Sequence, residues 1–157
     1  MNRQEFIENV KRSQKSLRRF LVSVCSGDIA MADDIAQETY MKAYMALESL
    51  QDDDKFNFWI TKIAYNTFLN HARANKINLP IEELKGHEGE NPADENFRYE
   101  NLYQALDGLP AKEKSAIVLF YLEGYSSKEI SNLLNISDES VRQCLSRGRK
   151  RLKSLLK

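Results

Sequence analysis

Basic and amide side chains recur on one face of the last predicted helix, which begins near Asp138. From there to the C-terminus the chain has seven basic and two acidic residues, a local charge of +5 in a protein of zero formal net charge. Arginine and glutamine can form paired hydrogen bonds with guanine and adenine edges, and arginine or lysine can neutralise phosphates. This chemistry predicts binding in the major groove of duplex DNA. The candidates for base contacts are Ser140, Arg142, Gln143, Ser146 and Arg147, and those for phosphate contacts are Arg149, Lys150, Arg151 and Lys153.

The residues before this helix predict a helix-turn-helix that would position it. Ser126 and Glu129 have the spacing of a capping box, and Ser137 is placed to cap the second helix. Asn135 falls in the turn, where a residue that tolerates left-handed geometry is needed. A short helix followed by a basic helix also occurs in bundles with a merely solvated charged face, but a basic face on only the second helix favours DNA binding. We expect the last helix to pack through Val141, Leu145, Gly148, Leu152 and Leu155.

Apolar residues recur at helical spacing along most of the remaining chain, and alternating β-branched runs are missing. The sequence therefore predicts an all-α fold made of two small helical domains. The first, residues 1–76, contains three helices, the second of which should span about Met31–Leu50. Residues 77–97 are acidic and contain two prolines and two glycines, so we interpret them as a flexible linker. The second domain, residues 98–157, should contain a helix at Ala111–Glu123 before the helix-turn-helix.

The composition argues against several other classes of protein. Cys25 and Cys144 lie far apart without a histidine cluster, so we expect neither a metal site nor a disulfide framework. The N-terminus is charged throughout, unlike a signal peptide, and no apolar stretch reaches the roughly 18 residues of a membrane span. Free thiols without targeting signals predict a cytoplasmic protein with no membrane insertion.

Three segments together resemble a known protein family. The segment from Leu109, LPAKEKSAIVLFYLEGYSSKEISNLLNISDESVRQCLSRGRKRLKSLL, is similar to region 4 of bacterial sigma factors. The segments ADDIAQETYMKAYMALESL from Ala32 and FNFWITKIAYNTFLNHAR from Phe56 are similar to region 2. Both regions in this order, joined by a short linker, resemble the extracytoplasmic-function (ECF) group of the sigma-70 family.

The resemblance implies a promoter-specificity subunit of RNA polymerase, with no catalytic activity and no cofactor. Region 2 of such proteins binds the coiled coil of the polymerase β′ subunit and recognises and opens the −10 element. Region 4 binds the −35 element and the flap of the β subunit. An anti-sigma factor as a further partner and a monomeric free state are also implied. The alternative left open by the residues is a stand-alone helix-turn-helix transcription regulator, whose N-terminal bundle would dimerise or sense a ligand.

The second predicted helix carries the positions that match the family's polymerase contacts. Spacings of three and four place most of them on one polar stripe opposite the core. From the residues alone, an exposed amphipathic helix without a partner is the better interpretation. The resemblance implies that core polymerase is bound by Asp34, Gln37, Glu38, Lys42 and Tyr44.

The loop Leu50–Lys55 matches the family's −10 specificity loop, which captures a flipped base. Asn66 matches a position that contacts the unpaired strand, and Lys62 and Arg73 are candidates for phosphate contacts. Nearby aromatic residues could stack on bases, but core packing is favoured for Phe56 and Trp59, whereas Phe58 and Tyr65 remain open. The implied −10 site comprises Leu50, Gln51, Lys55, Lys62, Asn66 and Arg73.

Two features depart from the family pattern. Asp52, Asp53 and Asp54 are unusually acidic beside DNA, and they could either repel phosphates and tune selectivity or interact with polymerase. A metal-binding aspartate triplet for phosphoryl transfer is disfavoured, because the sequence has no P-loop, second carboxylate cluster or nucleophile–base pair. Cys144 stands where the family usually has arginine or another polar residue, and we interpret it as a passive small side chain rather than a redox switch.

The length of the predicted linker limits how far apart the two domains can lie. About 20 residues span about 70 Å when fully extended but only about 25 Å when relaxed. Promoter elements about 25 base pairs apart are separated by roughly 85 Å of B-DNA. We therefore expect the domains to be mobile or closely packed in the free protein, and to be held apart on polymerase.

Overall fold

The computed structural model describes residues 1–78 and 100–156, and these ranges contain helices and no strand, which confirms the all-α fold. Residues 79–97 of the predicted linker lie outside the described residues. The N-terminal bundle consists of α1 (Arg3–Val24), α2 (Ile29–Met45) and α3 (Phe56–Asn78). The C-terminal bundle consists of α4 (Glu100–Asp107), α5 (Ala111–Ile117), α6 (Ser127–Leu134) and α7 (Asp138–Leu155).

Side-chain caps and a reversed turn set the helix boundaries of the N-terminal bundle. The Asn2 side chain accepts a hydrogen bond from the backbone N–H of Glu5, and the Glu5 carboxylate accepts one from the backbone N–H of Asn2. Between α1 and α2 the chain turns at Ser26 and Gly27, which both have positive φ, and Asp28 then caps α2. The three helices bury an apolar core that includes Phe20, Leu21, Ile35, Ile60 and Ala64.

The C-terminal bundle places α5, α6 and α7 around further buried apolar side chains, which are continuous with those of the N-terminal bundle. Ile130 and Leu133 of α6 meet Val141 and Leu145 of α7, and all four are almost inaccessible to solvent. Burial of each large aliphatic side chain contributes about 1.5–3 kcal/mol. This packing fixes the long helix α7 against the rest of the bundle.

Three local features differ from the sequence-based expectations. Helix α2 ends at Met45 rather than Leu50, and a 3-10 turn follows at Leu47–Ser49. There the Ser49 hydroxyl donates to the Ala46 carbonyl at 2.7 Å, a local bond that competes with continuing the helix. The helix expected at Ala111–Glu123 is regular only to Ile117 and continues as a π-helical turn, Val118–Leu122. Leu155, expected to be buried, is 52% exposed because it lies in the last turn of α7.

The two bundles are in close contact. Arg19 of α1 donates two hydrogen bonds to Glu123 Oε2, at 3.0 and 2.7 Å, and the Glu123 side chain is only 2% exposed. This interaction raises the pKa of Arg19, through the hydrogen bond first and the charge second. Further contacts join α3 to the C-terminal bundle: Lys62 with Asn132, Thr61 with Tyr125, Phe58 with Tyr125, and Phe68 with Lys114.

Glu123→Gln is expected to loosen the contact between the bundles by about 1 kcal/mol, since it removes the negative charge that Arg19 binds. The effect is modest because the Arg19 side chain is 56% exposed and water screens the pair. Förster transfer between dyes on the two bundles should report a larger mean separation. Glu8→Gln, at an exposed position of α1, is the matched control, and an equal change in both variants would contradict the proposed contact.

Candidate nucleic-acid interface

Helix α7 has one buried face and one exposed basic face. Val141, Leu145 and Gly148 face the bundle and are buried. Gly148 allows a close approach to α5, because a Cβ at this position would lie 2.7 Å from Ile117 Cγ1. The predicted DNA-contacting residues lie on the other sides of α7: Arg142, Gln143, Arg147, Arg149 and Lys150 are exposed, and Ser140 and Ser146 are half-buried.

The turn that presents α7 has the predicted local chemistry. The Ser126 hydroxyl accepts from the Glu129 N–H at 3.1 Å, and the Glu129 carboxylate accepts from the Ser126 N–H at 3.0 Å. Asn135 ends α6 in the left-handed region at φ 56° and ψ 48°. Ser137 caps α7 by accepting from the Ser140 N–H at 3.1 Å. These contacts confirm the capping box, the turn residue and the second cap.

The basic side chains of α7 differ in their partners. Arg151, predicted to contact phosphate, instead has its Nε 3.3 Å from Oε1 of Glu113, a buried carboxylate on α5. That oxygen has no well-aligned hydrogen bond, so the contact is mainly electrostatic. Arg149 Nη1 donates to the Tyr121 hydroxyl at 3.0 Å. None of the ion pairs found between described residues involves Arg142 or Lys150.

Helix α2 presents a mixed polar and apolar surface. The predicted polymerase-binding residues Asp34, Gln37, Lys42 and Tyr44 are exposed, and Glu38 is half-exposed. Glu38 Oε2 lies 2.9 Å from His71 Nε2, and Lys42 Nζ donates to Thr67 Oγ1 at 3.2 Å, so both side chains also contact α3.

Two methionines that the sequence pattern did not single out lie beside this polar stripe. Met41 and Met45 are 67% and 84% exposed, next to Tyr44, which is 51% exposed. Their spacing of four along one helix, off the core face, was the available signal. The three side chains form an exposed apolar patch at the C-terminal end of α2.

The predicted −10 residues are dispersed over the N-terminal bundle. Leu50 is half-buried, whereas Gln51, Lys55, Asn66 and Arg73 are exposed. Lys62 contacts Asn132 of the C-terminal bundle at 3.3 Å in this arrangement. In the acidic loop, the Asp52 side chain accepts from the Asp54 N–H at 3.0 Å and caps the 3-10 turn Asp53–Lys55.

The four aromatic residues near this site have mostly structural positions. Phe56 and Tyr65 are 3% and 1% exposed, so their rings belong to the packed interior. Trp59 is half-buried, and its indole N–H donates to the Ser49 hydroxyl at 3.2 Å. Phe58 lies edge-on to Tyr125, with ring centroids 6.3 Å apart. With the bundles in contact, Phe56 and Tyr65 therefore serve as core residues and do not form exposed stacking surfaces.

Both cysteine thiols lie in surroundings that favour the protonated form. Burial raises the pKa of the Cys25 thiol to about 12, and burial also raises the pKa of Cys144. A protonated thiol is a poor nucleophile and a poor metal ligand. Within residues 1–78 and 100–156, no cluster of three metal-ligating side chains occurs.

Comparison with known proteins matches both halves of the chain to one family. The family model "Sigma-70 region 2" matches residues 10–77, and "Sigma-70, region 4" matches residues 99–152. The ECF RNA polymerase sigma factor SigM of Bacillus subtilis is 33% identical over 142 residues, which cover 87% of this chain and 86% of SigM. SigW of the same organism is 31% identical, over 83% of this chain and 78% of SigW. The chain belongs to the ECF group of the sigma-70 family.

Solved structures show the same fold for this sigma factor. The sigma factor RpoE of Bartonella quintana, in complex with the anti-sigma factor NepR, superposes with a TM-score of 0.80 at 24% identity, covering 98% of this chain and 97% of RpoE. CnrH, in complex with the cytosolic domain of CnrY, gives a TM-score of 0.70 at 26% identity, covering 99% and 89% of the two chains.

The protein is therefore a non-enzymatic transcription initiation factor that directs RNA polymerase to promoters. A stand-alone regulator is not favoured, because a region 2 accompanies the helix-turn-helix. Among the described helices, none is long and apolar enough to cross a membrane.

Proposed function

We propose that this sigma factor recognises the −35 element through the exposed face of α7. The observation that carries the assignment is the separation of two faces on one helix, with Val141, Leu145 and Gly148 buried and the basic residues exposed. The first turns of α7 would enter the major groove, where Arg142 and Gln143 contact base edges. Ser140, Ser146 and Arg147 would flank them, and Arg149 and Lys150 would hold phosphates.

Helix α2 is assigned to core polymerase. Its exposed charged and amide groups lie beside the apolar patch of Met41, Tyr44 and Met45. Stable protein interfaces combine an apolar centre with a polar rim, and aromatic residues and methionine are enriched at such centres. The patch would form the centre of the contact with the β′ coiled coil, and Asp34, Gln37, Glu38 and Lys42 its rim.

The −10 element is assigned to the loop after α2 and to the exposed face of α3. Gln51 and Lys55 are exposed in that loop, and Asn66 and Arg73 are exposed on α3. Leu50 would line the pocket of a flipped base, and Lys62 would contact DNA once the bundles separate. The sigma factor would therefore have to open from the closed arrangement, in which the two bundles are in contact, in order to use this site.

The proposed organisation is region 2 at residues 1–76, an acidic linker at residues 77–97 and region 4 at residues 98–157. The protein would act in the cytoplasm, as a monomer when free. RpoE and CnrH were solved with NepR and CnrY, and an anti-sigma factor would likewise bind this chain.

Run-off transcription with purified core polymerase on a promoter library tests the whole assignment. The protein should form a stable complex with the core and select templates that share two elements at a fixed spacing. DNA binding of the isolated protein should be weak, because useful affinity arises when polymerase holds both regions in place. Failure to bind the core, together with tight binding to palindromic duplexes by the protein alone, would contradict it.

Gln37→Ala combined with Glu38→Ala should weaken core binding about tenfold or more, which corresponds to interface residues worth at least about 1.4 kcal/mol. Binding of the C-terminal bundle to duplex DNA should not change, because α2 packs mainly against α1 and α3. Pull-down titration with core and a separate DNA-binding assay would measure the two affinities.

Glu8→Ala on α1 is the control for loss of an exposed acidic residue. Unfolding curves of all variants are needed as well, since Glu38 also contacts His71. Equal losses of core binding and DNA binding in the double variant would contradict the division of roles.

A further inference from the structure

A cleft of about 320 Å³ with a mixed polar and apolar lining lies between the two bundles. The N-terminal bundle contributes one wall, which is a single face of α3 whose lining residues recur one and two turns apart. The other wall is formed by the start of α5 and the end of α6. The polar lining residues are Tyr65, Asn66, Asn70 and Arg73 on α3 with Lys112 and Asn135 opposite.

The lining chemistry suits an anion. Arg73 and Lys112 contribute one positive charge from each bundle, and none of the described lining residues is acidic. Arginine offers a planar set of donors that matches a phosphate, and lysine adds a mobile point charge. Both side chains are exposed, and an anion bound between them would offset the repulsion between two like charges.

A buried hydroxyl gives a second, independent indication of a ligand. Tyr65 lines the cleft and is 1% exposed, and its hydroxyl has no hydrogen-bond partner among the described residues. Buried polar groups in folded proteins are nearly always paired, so an unpaired hydroxyl at a cleft calls for an acceptor. Burial raises the pKa of Tyr65 to about 12, which keeps this group a donor at neutral pH.

We propose that this cleft binds a small phosphorylated molecule of nucleotide size, which bridges the two bundles. Small-molecule sites have volumes of roughly 300–1,000 Å³, so the cleft admits a mononucleotide but no folded partner. Its phosphates lie between Arg73 and Lys112. The asparagine amides, which both donate and accept, bind the polar remainder, and Leu69 and Leu134 contact its apolar part.

Such a ligand would stabilise the closed arrangement, because its contacts come from both bundles. It would also compete with promoter DNA for Asn66 and Arg73. This second consequence rests on the proposed role of those residues in −10 binding, whereas the binding itself does not.

Calorimetric titration of the full chain with inorganic pyrophosphate and with ADP tests the site without DNA or polymerase. Both probes should bind saturably at one site, with ADP the tighter. Lys112→Ala should weaken binding about tenfold, whereas Lys128→Ala, an exposed lysine of α6 outside the cleft, should change it less than twofold. Tyr65→Phe should weaken binding without lowering the thermal midpoint of the free protein, since it removes an unpaired hydroxyl.

Four outcomes would overturn the proposal. They are no saturable binding of either probe, equal losses in Lys112→Ala and Lys128→Ala, equal affinity for pyrophosphate and ADP, and Lys112-dependent binding of single-stranded DNA without binding of the probes. The last would assign the cleft to nucleic acid. The first three do not bear on core binding or promoter selection, which the transcription assay measures separately.

Discussion

Arg142→Ala is expected to weaken binding of the holoenzyme to a promoter with its −35 element by about 10- to 100-fold, and to relax specificity at one base pair. A bidentate contact between arginine and guanine contributes about 1–3 kcal/mol of discrimination, which sets this range. Arg142 lies in the second turn of α7, is exposed, and takes part in none of the ion pairs between described residues. Its truncation should therefore leave the fold intact. Titration of labelled promoter DNA with the reconstituted holoenzyme would give the affinity.

Arg12→Ala on α1 is a matched control, because it removes an exposed arginine far along the chain from α7. It should leave the promoter affinity within about twofold of the parent, as expected for a surface change away from the interface. A panel of −35 variants would separate base contact from phosphate contact. If Arg142→Ala lowered the affinity for the native and the scrambled −35 sequence equally, Arg142 would contact phosphate, which would contradict the assignment.

Gly148→Val is expected to lower the free energy of unfolding of the C-terminal bundle by about 1–3 kcal/mol. A Cβ at position 148 would lie 2.7 Å from Ile117 Cγ1 and 3.1 Å from Ile117 Cδ1. Ile117 is itself 6% exposed and cannot move aside without disturbing the core. Valine is only slightly better than glycine in a helix, by a few tenths of a kcal/mol, so helix propensity offsets little of this cost. Urea unfolding followed by circular dichroism would measure the change.

Ser154→Val provides the comparison within the same helix, since Ser154 is exposed in the last turns of α7. Its effect on stability should stay within about 0.5 kcal/mol. DNA binding should fall in Gly148→Val alone, because a displaced α7 no longer presents its basic face in the same orientation. Unchanged stability of Gly148→Val would show that α5 and α7 can separate at no cost.

Local chemistry made the helix-turn-helix predictable from the sequence. Ser126 with Glu129, Asn135 and Ser137 each act on backbone groups within a few residues, so their spacing is sufficient evidence for caps and a turn. The end of α2 was predicted less well. Apolar spacing continued to Leu50, but the bond from Ser49 to the Ala46 carbonyl favours a 3-10 turn there. The spacing of apolar residues cannot show that this side-chain bond competes with the backbone bond that would continue the helix.

The sequence by itself determined the basic face of α7, the order of region 2 and region 4, and hence the family of this sigma factor. Only the tertiary structure decided which charged groups already have partners, as Arg151 does with Glu113 and Arg19 with Glu123. It also decided that Tyr65 is buried, that Lys62 meets Asn132 and that a cleft with cations from both bundles exists. The physical reason is distance along the chain. Caps and helical faces depend on residues within one or two turns, whereas these contacts join residues dozens of positions apart, so they exist only once the bundles have packed together.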